Sequence, residues 1–87
     1  MPRTEIDPDD REPVYRQLAA ILRAQIESGE IPPRRALPSK RMLVQRYQVS
    51  TRTIDSAMAV LRSEGLIATE AGKGLFVTDR SEWKSGG

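Results

Sequence analysis

The sequence predicts an α+β fold, a winged helix-turn-helix in which three helices precede a two-stranded β-hairpin. An amphipathic helical segment comes first, and two shorter ones follow, separated by a tight turn at Gln48 and Val49. Two short apolar runs then flank a glycine-rich stretch, which is the pattern of a hairpin. The 87 residues suffice for one domain. We expect it over residues 13–78, between a flexible acidic arm (1–12) and a polar tail (79–87).

The first helix is expected to begin near Pro13, because proline is well tolerated at the first helical position. Apolar residues then recur at helical spacing, namely Tyr15, Leu18, Leu22 and Ile26. Gly29 can adopt the left-handed conformation that ends a helix. The connector over residues 30–38 contains three prolines, which prevent a regular helix there.

The second and third helices each follow a serine that can cap a helix N-terminus. Ser39 precedes a short helix that is expected to run to about Tyr47. Ser50 precedes an amphipathic helix that is expected to end at Gly65. The apolar positions of this helix are Ile54, Ala57, Met58 and Leu61.

Two apolar runs after the third helix predict the strands of the hairpin, over residues 66–69 and 75–78. The glycine-rich tip between them spans residues 70–74. This tip lacks the lysine–serine ending and the following helix of a nucleotide-binding loop. Nucleotide binding by this segment is therefore excluded.

The composition excludes most catalytic and metal-binding sites. The chain contains no cysteine and no histidine, which removes thiolate chemistry, disulfides and the commonest acid–base catalyst and metal ligand. We therefore expect no enzyme activity, no cofactor and no metal. No apolar run approaches the ~20 residues of a membrane helix, and the first ten residues lack the apolar stretch of a secretory signal. A cytoplasmic protein without a membrane partner is expected.

Basic residues are concentrated in the middle of the chain. Residues 31–54 contain six basic residues and no acidic one, whereas the rest of the chain has eight basic and twelve acidic residues. A basic segment on a slightly acidic body is typical of a surface that binds phosphate groups. Together with the helix-turn-helix pattern, this asymmetry predicts double-stranded DNA as the partner.

The helix after Ser50 is the strongest candidate for DNA contact, because the second helix of such a motif places its N-terminal part against base edges in the major groove. Arg52 can pair with guanine, and the hydroxyl of Thr51 or Thr53 can contact a phosphate or a base. Asp55 could accept a hydrogen bond from cytosine. We favour a structural role, in which Asp55 complements the helix dipole or orients Arg52.

The preceding helix supplies further candidates. Lys40 and Arg41 begin this helix, which crosses the DNA backbone, so one or both are expected to meet phosphates. Arg46, at the far end of the helix, is a weaker candidate. Arg34 and Arg35 lie in the connector and are expected to add long-range attraction.

The hairpin tip completes the predicted surface. Gly72 allows close approach of the backbone, and Lys73 is placed to reach an adjacent phosphate or the minor groove. Beyond the hairpin, Trp83 is the only tryptophan of the chain. We expect it to pack locally or to lie in a disordered tail, with an anchor for a partner subunit as the alternative.

Six segments occur in a specific order and spacing. They are Tyr15-Arg16-Gln17-Leu18, Ile26-Glu27-Ser28-Gly29, Leu37-Pro38-Ser39-Lys40-Arg41, Val49-Ser50-Thr51-Arg52-Thr53-Ile54, Leu61-Arg62-Ser63-Glu64-Gly65-Leu66-Ile67 and Gly72-Lys73-Gly74-Leu75-Phe76-Val77. In this arrangement the chain resembles the N-terminal DNA-binding domain of the GntR family of bacterial transcriptional regulators.

The resemblance implies a winged-helix fold and sequence-specific operator binding, commonly as a repressor and as a dimer. It also implies DNA contacts by Arg41, by residues 50–53 and by the tip at Gly72 and Lys73. The predicted DNA-binding residues are Ser39, Lys40, Arg41, Ser50, Thr51, Arg52, Thr53, Gly72 and Lys73.

The chain departs from the family pattern at four positions. Lys40 stands where the family usually has glutamate, and Arg34 stands where the connector often has glycine. Thr51 replaces the arginine that often follows the capping serine, and Asp55 replaces a second common arginine. The last two departures concern the residues that read bases rather than the fold.

Family members usually carry a C-terminal effector-binding and dimerising domain, and no small-molecule effector site is evident in this chain. We expect either a stand-alone small regulator or an excised DNA-binding domain. A homodimer on a palindromic operator is expected, with half-sites ~34 Å apart or a multiple of that distance.

Two alternative functions stay open. One is a DNA-binding module in plasmid or phage copy control or in recombination, and the other is a winged helix used for protein–protein contact.

Overall fold

The computed structural model of the chain describes residues 5–71 and 74–83, and it has the winged-helix architecture that the sequence predicts. The elements, in chain order, are α1 (Val14–Glu27), α2 (Lys40–Tyr47), α3 (Thr51–Ser63), β1 (Ile67–Glu70), β2 (Gly74–Val77) and a short 3-10 helix (Arg80–Glu82). These bounds differ from the predicted ones by one or two residues, which is within the usual fraying of element ends.

Serine caps begin α2 and α3, as predicted. The Ser39 hydroxyl accepts a hydrogen bond from the backbone N–H of Met42 at 3.2 Å, and the Ser50 hydroxyl accepts one from the N–H of Thr53 at 3.1 Å. Between the two helices, Gln48 adopts a left-handed conformation with φ 57° and ψ 46°. This residue ends α2 and turns the chain into α3.

The hydrophobic core lies mainly between α1 and α3. Helix α2 and the hairpin also contribute residues to it and cover it where they pack. Each of the two longer helices buries the apolar face that its spacing predicts. The buried cluster consists of Leu18, Ala19, Leu22, Ile26, Leu37, Leu43, Ile54, Ala57, Met58, Leu61, Leu66, Ile67 and Val77.

An ion pair joins α1 to the end of α3 beside this core. The Arg23 guanidinium donates two hydrogen bonds of 2.7 Å to the Glu64 carboxylate. Bidentate pairs of this kind are strong for their type. The hydrogen bonds to Glu64 raise the pKa of Arg23 further above its ordinary value.

The hairpin is antiparallel, and its register pairs Ile67 with Val77 and Glu70 with Gly74. The connector also lies along β2. The N–H of Arg34 donates to the carbonyl of Val77 at 2.7 Å, and the N–H of Leu37 donates to the carbonyl of Leu75 at 3.1 Å. These bonds fix the hairpin to the segment that leads into α2, and so position the wing relative to the helix-turn-helix.

Contacts with the helical core also involve the two terminal segments. The side chain of Gln17 is fully buried. Its amide nitrogen donates to the carbonyls of Asp7 (2.8 Å) and Glu12 (2.7 Å), and its oxygen accepts from the N–H of Asp7 at 2.7 Å. Ile6 and Trp83 pack against the core cluster. The described part of the segment expected to be a flexible arm is therefore held against α1.

Candidate DNA-binding surface

The N-terminal turn of α3 is exposed, and its cap determines which polar groups are available there. Ser50, Thr51 and Arg52 are exposed, and Thr53 is half-buried. Besides accepting from the Thr53 N–H, the Ser50 hydroxyl donates to the Thr53 hydroxyl oxygen at 3.1 Å. The cap therefore engages two of the four predicted contact residues and leaves Thr51 and Arg52 open.

Arg52 is the cation of this turn that has no partner in the part of the chain that the structure describes. Its side chain is exposed and has no ion-pair or hydrogen-bond partner within residues 5–71 and 74–83. An unpaired guanidinium on the first turn of the second helix of a helix-turn-helix has the donors needed to contact guanine O6 and N7. Within the described residues, no intramolecular bond of Arg52 has to break before it makes such a contact.

The first turn of α2 provides the second part of the surface. Ser39, Lys40 and Arg41 are all exposed. Arg41, like Arg52, makes no side-chain hydrogen bond or ion pair with the described part of the chain. The ammonium of Lys40 differs, because it lies 2.6 Å from a carboxylate oxygen of Asp55 on α3. The predicted orientation of Arg52 by Asp55 is therefore wrong, and Asp55 instead ties α3 to the start of α2.

A groove runs between α2, α3 and the hairpin beside this ion pair. Its polar lining residues are Ser39, Lys40, Asp55, Arg62 and Thr69. Arg62 was not among the predicted contact residues. Its guanidinium donates to the Thr69 hydroxyl at 3.3 Å and so links α3 to β1. The sequence does place Arg62 on the same helix face as Asp55, because it follows Asp55 by seven residues.

The remaining predicted cations fall into two groups. Arg34 is paired with Asp79 at 3.1 Å, and the guanidinium of Arg46 lies 5.7 Å from the centre of the Tyr47 ring. Arg35 is exposed, consistent with a contribution at long range. Two other predicted contact residues, Gly72 and Lys73, lie outside the described residues.

The described residues do not form a metal-binding cluster or a membrane-spanning helix. Among residues 5–71 and 74–83, no cluster of three or more acidic side chains could hold a metal ion. In the same part of the chain, no helix combines the length and apolar character that crossing a bilayer requires.

Comparison with known sequences decides the family. The model of the family described as "Bacterial regulatory proteins, gntR family" matches residues 14–77, from the start of α1 to the end of β2. The chain belongs to the GntR family. The resemblance seen in the six sequence segments is thereby confirmed, and so is the winged helix-turn-helix that it implied.

Two curated relatives in the GntR family are similar to this chain. The HTH-type transcriptional repressor NagR of Bacillus subtilis is 36% identical over 66 residues, which is 76% of this chain and 27% of NagR. The histidine utilization repressor of Pseudomonas aeruginosa is 36% identical over 67 residues, which is 77% of this chain and 27% of that protein. The chain thus spans about a quarter of the length of these relatives.

Solved structures of GntR-type proteins share the fold over most of the chain. YtrA from Sulfolobus acidocaldarius, a GntR-family transcription factor, superposes with a TM-score of 0.80 at 30% identity, covering 88% of this chain and 81% of YtrA. AraR(DBD) in complex with operator ORE1 superposes with a TM-score of 0.74 at 30% identity, covering 87% of this chain and 93% of that one.

Proposed function

We propose that this chain is the DNA-binding domain of a GntR-type transcriptional repressor that recognises a specific operator. One observation carries the proposal. The exposed, serine-capped first turns of α2 and α3 each hold one arginine, Arg41 or Arg52, with no partner in the described protein. The relatives NagR and the histidine utilization repressor, which are repressors by name, and the operator complex of AraR(DBD) support the same function.

In this proposal, α3 enters the major groove by its N-terminal turn. Arg52 reads guanine, and the hydroxyl of Thr51 contacts a base edge or a phosphate. Ser50 and Thr53 contribute the capped helix end, where free backbone N–H groups attract a phosphate. Because the Ser50 hydroxyl both accepts and donates within the cap and the Thr53 oxygen accepts from it, we assign these two residues to positioning of the turn rather than to base reading.

The first turn of α2 and the wing bind the DNA backbone on either side of α3. Arg41 meets a phosphate, and the N-terminus capped by Ser39 faces the same strand. Gly72 and Lys73 reach an adjacent phosphate or the minor groove from the hairpin. Lys40 lies on this surface too, but its charge is paired with Asp55.

We further propose that the domain acts as one half of a homodimer on a palindromic operator in the bacterial cytoplasm. A single module of this size covers only ~600–1,000 Å² on DNA, which limits both affinity and specificity. Two copies on half-sites ~34 Å apart, or a multiple of that distance, would read twice the sequence. Sedimentation of the chain with and without duplexes that contain one or two half-sites measures the stoichiometry.

Selection from random duplexes, followed by binding measurements across salt concentrations, tests the function. A repressor domain should enrich a defined motif, and its affinity for DNA should fall steeply with salt because phosphate contacts release counterions. Absence of binding at any salt concentration would favour the alternative in which the winged helix contacts a protein. Enrichment of one motif does not by itself separate a repressor from a copy-control or recombination module, so the selected motif is then placed in a reporter promoter.

Arg41→Ala and Arg52→Ala should have different effects on the selected motif. Arg41→Ala should weaken binding to every duplex by a similar factor and reduce the salt slope by about 1, since one phosphate contact is lost. Arg52→Ala should cost about 1–3 kcal/mol on the motif and relax the preference at one base pair.

Arg16→Ala is the matched control, because Arg16 is an exposed arginine on α1 whose side chain, among the described residues, hydrogen-bonds only to the neighbouring Tyr15. Fluorescence anisotropy measures the affinity of the three protein variants for the motif and for duplexes that differ from it at one base pair. An equal loss on every duplex for Arg52→Ala would contradict its assignment to base reading.

A further inference from the structure

The Lys40–Asp55 ion pair lies within the proposed DNA-binding surface, and the contacts proposed above give it no role. Lys40 Nζ is 2.6 Å from Asp55 Oδ1. The two side chains are 52% and 54% exposed, and both line the groove between α2, α3 and the hairpin. The pair therefore faces solvent, and any ligand on this surface, rather than the core.

Its neighbours make the position of this pair notable. Arg41 follows Lys40 directly in the first turn of α2, and Arg52 lies one turn before Asp55 on α3. Both arginines are free of side-chain partners among the described residues. The first turns of α2 and α3 thus hold Lys40, Arg41 and Arg52, of which the two arginines have no partner within the described residues and the lysine is neutralised by the carboxylate.

We propose that Asp55 is a positioning residue that lowers the affinity of this domain for DNA by withholding Lys40 from the phosphate backbone. The inference rests on the proposed DNA-binding function. Asp55 ties Lys40 to α3, so the ammonium is directed toward the groove instead of toward a strand of DNA. Affinity for DNA then depends on Arg41, Arg52 and the wing.

The effect does not require the ion pair to stay closed in the complex. If Lys40 left Asp55 for a phosphate, the carboxylate would face the same negatively charged strand without a counterion, and like charges repel. If Lys40 stays with Asp55, no phosphate is neutralised. In either arrangement the two residues together add almost no net positive charge, and the counterion release that drives binding gains nothing from them.

Asp55→Ala tests the inference, because it removes the carboxylate without adding a group that reads bases. Lys40 would then be free to neutralise one phosphate. The slope of log K against log salt concentration should become steeper by about 0.9, and the affinity gain over wild type should shrink about threefold between 50 and 200 mM salt. The gain should be similar on the selected motif and on a random duplex. Asp55→Ser, measured in parallel, should behave alike and keeps the comparison available if the alanine variant does not fold.

Two controls separate a released lysine from a general change of charge. In the double variant Lys40→Ala with Asp55→Ala, the added slope should disappear, because the released cation is gone. Asp79→Ala removes the same charge and frees Arg34 from an ion pair of 3.1 Å, but at the base of the hairpin, beyond the end of β2. Because Arg34 is expected to act only at long range, the salt slope of Asp79→Ala should change much less than that of Asp55→Ala.

Each other result overturns the inference. An unchanged slope with lost preference at one base pair would show that Asp55 reads a base. A steeper slope that persists in the double variant, or that appears equally in Asp79→Ala, would show a general electrostatic effect. Wild-type binding separates this inference from the proposed function. A chain that binds no duplex at low salt overturns both, whereas normal wild-type binding with any of the results above overturns the inference alone.

Discussion

Gln17 shows how one side chain can hold a terminal segment in place. Its amide is fully buried and is hydrogen-bonded to the backbone of Asp7 and Glu12. Buried polar groups that lose their partner incur a desolvation cost, which makes such an amide difficult to replace. The position of residues 5–12 against α1 therefore depends in part on this one buried polar residue, beside the packing of Ile6 against the core.

Gln17→Leu should lower the free energy of unfolding by about 1–3 kcal/mol, because it leaves two carbonyls and one N–H without their partner. Amide hydrogen exchange at Asp7 should also accelerate. Gln25→Leu is the control on the same helix, since the Gln25 side chain is half-buried and has no hydrogen-bond partner in the described chain. Urea denaturation gives both free energies, and equal losses for the two variants would contradict the role of Gln17.

Single residues also show where the sequence is informative and where it is not. The caps at Ser39 and Ser50 could be predicted because a capping serine acts within its own helix turn. Gln17 could not, because its partners come from another segment, and a glutamine on a helix usually indicates an exposed face. The pairing of Lys40 with Asp55 also depends on tertiary contact, which no local pattern encodes.

At the scale of elements, the turn between α2 and α3 contains a strained residue. Gln48 adopts φ 57°, a left-handed conformation that costs a residue with a side chain energy and that glycine adopts freely. Arg34 has the same feature with φ 69°, at the connector position where the family often has glycine. The backbone thus explains why glycine is common at this position. A glycine suits the conformation, whereas the arginine gains an ion pair with Asp79.

Gln48→Gly should raise the free energy of unfolding by about 0.5–1 kcal/mol, because relief of the left-handed conformation outweighs the added freedom of the unfolded chain. Gln45→Gly, one turn earlier and exposed within α2, should lower it by about 1 kcal/mol, since glycine is a poor helix former. Thermal unfolding of the two variants measures these changes in stability, which should have opposite signs. A loss of stability for Gln48→Gly would mean that the turn is not strained.

The elements themselves could be predicted almost completely, but not all of their connections. The helical and alternating apolar patterns give the order and approximate bounds of α1 to β2, because burial of one face sets each period. The connector was expected to be irregular, since its prolines interrupt a helix. Its hydrogen bonds to β2 at Val77 and Leu75 could not be predicted from the local sequence, because they join residues about forty positions apart.

At the scale of the whole molecule, one buried cluster joins all the parts. It contains residues from the three helices, the connector and both strands, and Trp83 packs against it from the C-terminal segment. The Trp83 indole N–H donates to the carbonyl of Thr78 at 3.3 Å, and the Arg80 guanidinium lies 4.9 Å from the ring centre. Trp83, the only tryptophan of the chain, therefore reports on the packing of a segment that was predicted to be a polar tail.

A single core implies that the domain unfolds in one cooperative transition. Ile26→Val in α1 and Ile67→Val in β1 remove one methylene each from fully or almost fully buried positions, and each should lower the free energy of unfolding by about 0.5–1.5 kcal/mol. For each variant and for the wild type, the transition followed by helical circular dichroism should coincide with that followed by Trp83 fluorescence. If Ile67→Val shifted the fluorescence transition alone, the hairpin and the C-terminal segment would form a separate unit. Coincidence in both variants would instead mean that the wing and the recognition helix are ordered by the same folding equilibrium, and that mutations in the core lower DNA binding only through the folded fraction.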